Sequence, residues 1–313
     1  MTTVVPPVQS QPTEQQTPRR RWLVVTLSVV AGFLLTVVWS AHFVDQTIGH
    51  TVADGLLGHD ANEVPIAGVS AGLIFAFVTG LAGTFTACNI AAFGALAPLL
   101  SDQRTMRGRL AAALRPLAHL AAGMVVVSAL YGAVVAIVGT SMPQFSTATA
   151  TGLTPRSVQS MVTFGIIGIV MIYLGLAALG IVRDPLARVS RRYPHARMAL
   201  MGALIGAFLI GRPYGLFRQL FRDAAESHNV LYGVFAFVLQ SIGNIIIIST
   251  LFLGMALLPG GKMNRWMTAK PGRMAVVMGA AFIVAGVFTL LYWDVRLLAR
   301  RGYIWYPIAP WAA

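Results

Sequence analysis

Apolar residues along the chain are grouped into seven runs that are separated by short polar segments. The runs cover residues 22–44, 66–83, 114–138, 161–182, 198–210, 230–258 and 274–293. A helix that crosses a ~30 Å hydrocarbon core needs about 20 apolar residues, and most of the runs reach that length. The fifth run is short, and the second is followed by an apolar piece, 90–100, that cannot cross alone. The pattern predicts an all-α polytopic membrane protein with seven transmembrane helices.

The composition supports a lipid environment. Hydrophobic residues make up 57% of the chain and charged residues only 11%, with a mean hydropathy of +0.73. Soluble domains carry roughly 25% charged residues, so the surface of this protein is expected to face lipid. The net charge of +13 is divided into short blocks between the apolar runs, which is typical of membrane topology signals and not of nucleic-acid binding. No phosphate loop, zinc motif or nucleophile–base pattern is present, so we expect neither an enzyme nor a cofactor.

The distribution of Lys and Arg predicts the orientation. With seven spans, the segments on the side of the amino terminus hold 16 of the 23 Lys and Arg residues, and the other side holds 7. The positive-inside rule then places the amino terminus in the cytoplasm and the carboxyl terminus outside, in the cytoplasmic membrane of a bacterium. Residues 1–21, rich in Pro, Gln and Thr, are predicted to be a disordered cytoplasmic tail. Residues 22–44 form an extra, uncleaved first helix, 45–63 an extracytoplasmic loop, and 298–313 a C-terminal tail.

The membrane region contains an internal repeat. The segment "GIVMIYLGLAALG" from Gly168 aligns without a gap with "GAAFIVAGVFTLL" from Gly279. The identical pairs are Gly168/Gly279, Ile172/Ile283, Gly175/Gly286 and Leu179/Leu290. Runs two and five each contain a helix-breaking element, so 64–182 and 183–297 are interpreted as two three-helix repeats. Because three is odd, the second repeat is inverted, and the broken helices are expected to meet near the midplane around a polar cavity.

The broken helices resemble a known family. In "GLAGTFTACNIAA" and "GRPYG" the chain places Gly80 before Cys88, and Gly211 and Pro213 before Tyr214. These motifs are similar to those of the transmembrane domain of CcdA-type cytochrome c biogenesis proteins and of DsbD, within the LysE-like transporter superfamily. The resemblance covers about 64–297 and implies two inverted three-helix repeats. Family members pass electrons through a disulfide between two membrane cysteines, but here Tyr214 stands at the second cysteine and Ala87 replaces a proline.

The missing cysteine changes the expected function. Cys88 is the only cysteine of the chain, so an intramolecular thiol relay cannot form. We therefore expect passage of a small solute, a metal ion or a thiol compound, by alternating access of the two repeats. A second hypothesis keeps the redox chemistry, with Cys88 reacting with the thiol of a partner protein. A third is an assembly protein that uses the fold as an anchor.

Polar residues within the apolar runs are the candidates for a solute pathway. These are Thr84, Thr86, Cys88 and Asn89 at the first break, Arg212, Pro213 and Tyr214 at the second, and Gln240 and Asn244 in run six. Gln240 and Asn244 lie on one helical face, where they either line the cavity or form interhelical hydrogen bonds. Arg115 and His119 have the same spacing and form either a proton relay or an ordinary interfacial pair.

Two polar segments outside the runs leave alternatives open. The segment 41–63 carries imidazole and carboxylate groups that suit divalent metals, and it is interpreted either as a weak metal site or as a solvated loop. The candidate ligands are His42, Asp45, His50, His59 and Asp60. The segment 211–229 places Arg218 and Arg222 one helical turn apart. It is either an amphipathic interfacial helix or a vestibule that attracts anions.

Overall fold

The computed structural model describes residues 20–40, 42–61, 66–84, 106–146, 152–211, 215–257 and 272–312, and this part of the chain is helical without strands. The helices are α1 (Arg21–Val38), α2 (Thr51–Leu57), α3 (Gly68–Ala82), α4 (Met106–Val138), α5 (Pro155–Ala178), α6 (Ala187–Arg192), α7 (Ala196–Gly211), α8 (Gly215–Ser227), α9 (Val230–Leu257), α10 (Arg273–Leu290) and α11 (Arg296–Arg300). Two π-helical segments, His42–His50 and Leu291–Val295, lead into α2 and join α10 to α11.

Five helical segments are long and apolar enough to cross a membrane. They are Arg21–Val38, Leu110–Ser141, Pro155–Ala178, Val230–Gly254 and Arg273–Arg300. Helices α7 and α8, bent by 84° at their break, give a sixth if the pair is one span, and α3 is a shorter apolar helix. The predicted all-α membrane class is confirmed for the described residues, while the count of seven spans stays a prediction. The two runs predicted to be broken are the two that do not form a long straight helix.

Helices α3 and α7 end at the predicted breaks. The last turn of α3 closes with the Gly83 amide, which donates to the carbonyls of Thr79 (3.0 Å) and Gly80 (3.1 Å). The Thr84 hydroxyl then donates to the Leu81 carbonyl (2.8 Å). Helix α7 ends at Gly211, and the next helix begins at Gly215. Residues 85–105 and 212–214, which follow these ends, lie outside the described residues.

Two pairs of long helices pack antiparallel. In the pair α4 and α9, Gly132 faces Gly233, and the hydroxyls of Ser128 and Ser241 are 2.6 Å apart. Residue numbers therefore rise along α4 as they fall along α9. In the pair α5 and α10, the glycines meet backbone to backbone as Gly168 with Gly286 and Gly175 with Gly279. Glycine at these positions lets the helix backbones approach closely.

Two further pairs pack parallel. Helix α3 runs along α9, because Gly72 faces Tyr232 and Gly80 faces the backbone of Gln240. Helix α7 runs parallel to α4, because Gly202 meets Leu120 and, one turn later on both helices, Gly206 meets Met124. Gly123 of α4 also contacts the Ala199 backbone. A Cβ at Gly202 would lie 1.8 Å from the Leu120 carbonyl oxygen, so these backbones touch. Both interfaces thus depend on glycine.

The long helices alternate in direction along the chain. Helix α5 is antiparallel to α7, since Ser160 donates to the Gly211 carbonyl and Phe164 contacts Phe208. Helix α1 is parallel to α10, since Gly32 meets Val284 and Trp39, at the end of α1, meets Phe288 further along α10. Combined with the pairs above, the order α1, α3, α4, α5, α7, α9, α10 reverses direction at each step. This is the order required of successive helices in a membrane.

The carbonyl end of α1 is capped by the carboxyl-terminal part of the chain. A helix leaves its last four carbonyls without partners, and such groups are costly to bury. Here all four are paired: Arg296 donates to the carbonyls of Thr36 and Trp39, Ala309 N–H to Val37, and the Trp311 indole to Val38. The segment predicted as a tail therefore packs against the first helix. The segment predicted as the 45–63 loop is largely helical, through His42–His50 and α2.

Candidate functional site

Gln240 occupies the crossing of α3 and α9. Its side chain is fully buried, and both its amide oxygen and its amide nitrogen lack a partner within the described residues. The backbone of Gly80 lies directly against it, and the buried Asn244 is one turn further along α9. The parallel register of α3 and α9 places the buried Thr84 at the level of Asn244. Three of the predicted pathway residues are thus brought to one interface, where an unpaired buried amide favours a polar ligand group.

The remaining predicted pathway residues are not covered by the structure. Thr86, Cys88 and Asn89 at the first break, and Arg212, Pro213 and Tyr214 at the second, lie outside the described residues. Their place in a common cavity, and any thiol chemistry of Cys88, stay predictions.

A polar pocket lies where α5, α7 and α8 meet the short 3-10 turn Pro143–Phe145, next to the end of α7. We call it the Gln159 pocket; its lining residues are Gln144, Phe145, Arg156, Gln159, Ser160, Ile210, Gly211, Arg218 and Phe221. The Tyr131 hydroxyl donates to Gln144 Oε1 (2.5 Å), and Gln159 Nε2 donates to the Tyr131 hydroxyl (3.2 Å) and the Ile210 carbonyl (2.7 Å). Side chains of α5 thus satisfy the last carbonyls of α7.

Two arginines line the Gln159 pocket, and a third lies outside it. Arg156 and Arg218 line it, Arg222 is one turn beyond on α8, and both Arg156 and Arg222 repel the charge of Arg218. In the described part of the chain these guanidinium groups form no ion pair, since the only one there joins Arg197 to Asp184. Helix α8 is strongly amphipathic and buries its apolar face. The segment 211–229 therefore combines an amphipathic helix with a basic pocket.

Sequence analysis missed most of this pocket. Gln144 lies in the segment between α4 and α5, whereas Arg156 and Gln159 lie in the first two turns of α5. The only signal was their composition: "MPQFSTATATGLTPRSVQS" is polar and sits between two membrane runs. Nothing in the spacing indicated that Gln159 would reach the end of α7.

A second pocket lies at the opposite end of α5 and α7. We call it the Met201 pocket; it is lined by Leu174, Ala177, Ala178, Asp184, Leu186, Arg197, Met198, Met201, Met278 and Phe282. The Asp184–Arg197 ion pair stands at its rim. Between the two pockets, Phe164 stacks on Trp293 with ring centroids 4.5 Å apart and contacts Phe208 at 5.1 Å. The pockets are therefore separated by a packed apolar layer that contains aromatic rings.

His119 contacts both Arg115 and His195. Its Nδ1 lies 2.8 Å from the Arg115 carbonyl oxygen, and its exposed ring is 4.5 Å from the ring of His195. The contact with Arg115 thus involves the backbone, while the facing group is a second imidazole. A proton relay through Arg115 and His119 stays a prediction.

The predicted metal ligands are only partly described. The side chains of His42 and Asp45 fall outside the described residues, and no group of three or more His, Cys, Asp or Glu among those described is placed to hold a metal ion. His50, His59 and Asp60 alone therefore form no such group. The metal site stays a prediction.

Asp294 is an ionisable residue that sequence analysis did not single out. It lies in the π-helical segment Leu291–Val295, beside Gly165 of α5, and its Oδ2 is buried with no partner among the described residues. Single π-helical turns are frequent at functional sites, and acidic groups at membrane depth are usually functional. The seventh run ended at residue 293, whereas the helical segment continues to Arg300. That continuation brings Asp294 into the bundle.

Comparisons with protein-family models, with curated proteins and with solved structures find no match to this chain. The resemblance to the CcdA and DsbD family therefore rests on the sequence motifs alone.

Proposed function

We propose that the protein is a membrane transporter in which two inverted three-helix repeats, 64–182 and 183–297, move a small solute by alternating access. The observation that carries this proposal is the set of contacts between α5 and α10. The sequence alignment pairs Gly168 with Gly279 and Gly175 with Gly286. The packing contacts are Gly168 with Gly286 and Gly175 with Gly279. Exchanging each residue for its aligned partner converts one contact into the other.

The neighbouring contacts obey the same exchange. Gly286 meets Ile172 as Gly175 meets Ile283, and Gly279 meets Leu179 as Gly168 meets Leu290. Because the two equivalent helices are antiparallel, an axis that relates them must be perpendicular to both and lie in the membrane plane. That is the relation expected of inverted repeats. An axis along the membrane normal would instead make equivalent helices parallel.

Two further sets of helix pairs agree with this symmetry. If α3, α4 and α5 correspond to α7, α9 and α10, the pair α3–α9 should be matched by α7–α4. Both pairs are observed, and both are parallel. The pair α4–α9 should correspond to itself and be antiparallel, as it is. The first helix, α1, packs outside this arrangement against α10.

The two pockets provide the two entrances that alternating access requires. The Gln159 and Met201 pockets lie at opposite ends of α5 and α7, with Phe164, Phe208 and Trp293 between them. A transporter needs an entrance on each side and a barrier that closes one when the other opens. In the predicted orientation, the Gln159 pocket opens toward the outside and the Met201 pocket toward the cytoplasm.

Thiol labelling tests the proposed mechanism. In a Cys88→Ser background, Ser160→Cys should react with a membrane-impermeant reagent from one side, and Ala178→Cys from the other. In the double variant, a bulky reagent attached in one pocket should hold that pocket open. The other pocket should then stay closed, and labelling there should be slower. A lipid-facing control, Leu130→Cys, should react from neither side. Independent labelling of the two positions would contradict alternating access.

Reporter fusions test the orientation. Fusions at 150 and 313 should report an extracytoplasmic location and a fusion at 190 a cytoplasmic one, because the positively charged segment 183–197 is retained inside. The alternating directions of the long helices support the relative part of this assignment, with the end of α4 and helix α6 on opposite sides. A cytoplasmic signal at 150 would reverse the orientation, and the two pockets would exchange sides.

A further inference from the structure

The Gln159 pocket concentrates positive charge without an acidic partner. Arg156 enters it from the first turn of α5 and Arg218 from α8, and each is only partly exposed. The two carboxylates of α8, Asp223 and Glu226, do not line the pocket, and Asp223 accepts a hydrogen bond from the Tyr232 hydroxyl. Guanidinium groups held near one another repel, so an arrangement of this kind is stabilised by a bound anion.

The pocket also offers a buried donor. Gln144 is 8% exposed, and its Nε2 has no partner in the described part of the chain. Its Oε1 is held by the Tyr131 hydroxyl, which fixes the amide so that the NH₂ group remains unpaired. A buried unpaired amide donor is costly unless something accepts its hydrogen bonds. Two guanidinium groups and one amide donor, from three separate elements, therefore line a single space.

We infer that the Gln159 pocket binds a small anionic group, such as a carboxylate. The space between the lining side chains admits about one water-sized group, so a larger solute would enter by its anionic end. Two sources of such a group exist, a free anion and the headgroup of an anionic lipid. Identifying the free anion as the transported solute rests on the proposed transport function; the binding itself does not.

Equilibrium binding of formate tests the inference. The full-length protein is placed in nanodiscs of zwitterionic lipid, and radiolabelled formate is titrated at constant ionic strength. Saturable binding is expected, with competition by chloride. Arg156→Gln and Arg218→Gln should each weaken it by about tenfold or more, because each removes a charged hydrogen-bond donor. Arg156→Lys, which keeps the charge, should restore part of the affinity and shows that the loss is not misfolding.

Arg222→Gln is the matched control. It removes the same charge from the same helix, but Arg222 is exposed and does not line the pocket. Binding should therefore change by less than about threefold, because solvent and salt screen a charge at the surface. Equal losses in Arg222→Gln and Arg218→Gln would overturn the pocket as the site and indicate a diffuse surface effect.

The lipid arm separates the two sources. Wild type and the same variants are placed in nanodiscs that contain anionic lipid and are then purified. Mass spectrometry measures how much anionic lipid stays bound to each protein. Lipid retention that depends on Arg156 and Arg218, without formate binding, supports the site with a headgroup as its ligand. Absence of both overturns the inference. If formate binds but labelling at Ser160→Cys does not affect labelling at Ala178→Cys, the anion site stands and the transport proposal fails. If the two labelling rates are coupled but neither formate nor lipid depends on the arginines, transport stands and the anion site fails.

Discussion

Replacing Arg296 with alanine is expected to lower the free energy of unfolding by about 3 kcal/mol or more. The guanidinium group is 0% exposed and donates to the carbonyls of Thr36, Trp39 and Ala312. Alanine leaves these three acceptors buried without a donor and opens a cavity beside the Tyr292 ring, which packs on the guanidinium. Reversible unfolding of the purified protein in mixed detergent micelles measures the change.

Arg300→Ala is the control for this prediction. Arg300 lies one turn later and is exposed, and its hydrogen bond to the Tyr292 hydroxyl is long, at 3.5 Å. Its replacement should cost less than about 1 kcal/mol, as for other exposed charged side chains. If both variants lose the same stability, the carbonyl cap is not what makes Arg296 important.

Gly202→Ala is expected to be similarly destabilising, by about 3 kcal/mol, although the change adds a single methyl group. The new Cβ would lie 1.8 Å from the Leu120 carbonyl oxygen and 2.9 Å from the Met124 amide nitrogen. Both are backbone atoms of α4, so α7 must move away along its whole contact and lose packing on both sides. The measurement is the same unfolding experiment, with the oligomeric state checked by gel filtration.

Gly254→Ala is the matched control on α9. A Cβ there meets none of the described atoms within 4 Å, and alanine has the higher helix propensity. Stability should therefore stay unchanged or rise by up to about 1 kcal/mol. A gain of stability in Gly202→Ala would show that α4 and α7 pack less closely than described, and the glycine interfaces would then carry no symmetry argument.

The helices could be predicted from the sequence because lipid restricts the choices. A backbone in hydrocarbon must satisfy its hydrogen bonds internally, so an apolar run of sufficient length becomes a helix. The breaks were also visible, since Gly83 and Gly211 interrupt the second and fifth runs and the structure ends α3 and α7 there. The internal match between Gly168 and Gly279 likewise indicated which helices are related.

The sites were predicted less well, for two physical reasons. Hydropathy indicates which segment is apolar enough for lipid, but it does not show where the helix ends. Asp294 and Arg296 were therefore placed beyond the seventh run. Hydrogen bonds that join distant elements leave no periodic signal. The contact of Gln159 with the Ile210 carbonyl spans 51 residues and depends on the packing of α5 against α7. Gln240 was identified because a lone amide in an apolar run stands out by itself.

The cap on α1 has a consequence for biosynthesis. The first helix leaves the ribosome long before its partners: the Trp311 indole that binds the Val38 carbonyl is 273 residues away in sequence. Until Trp311 has been synthesised, the last carbonyls of α1 must be solvated at the membrane surface or by the insertion machinery. Residues that are synthesised much later in the chain thus complete the cap of α1. Truncation before Ala309 would remove the donors to the Val37 and Val38 carbonyls and leave the protein open to quality-control proteolysis.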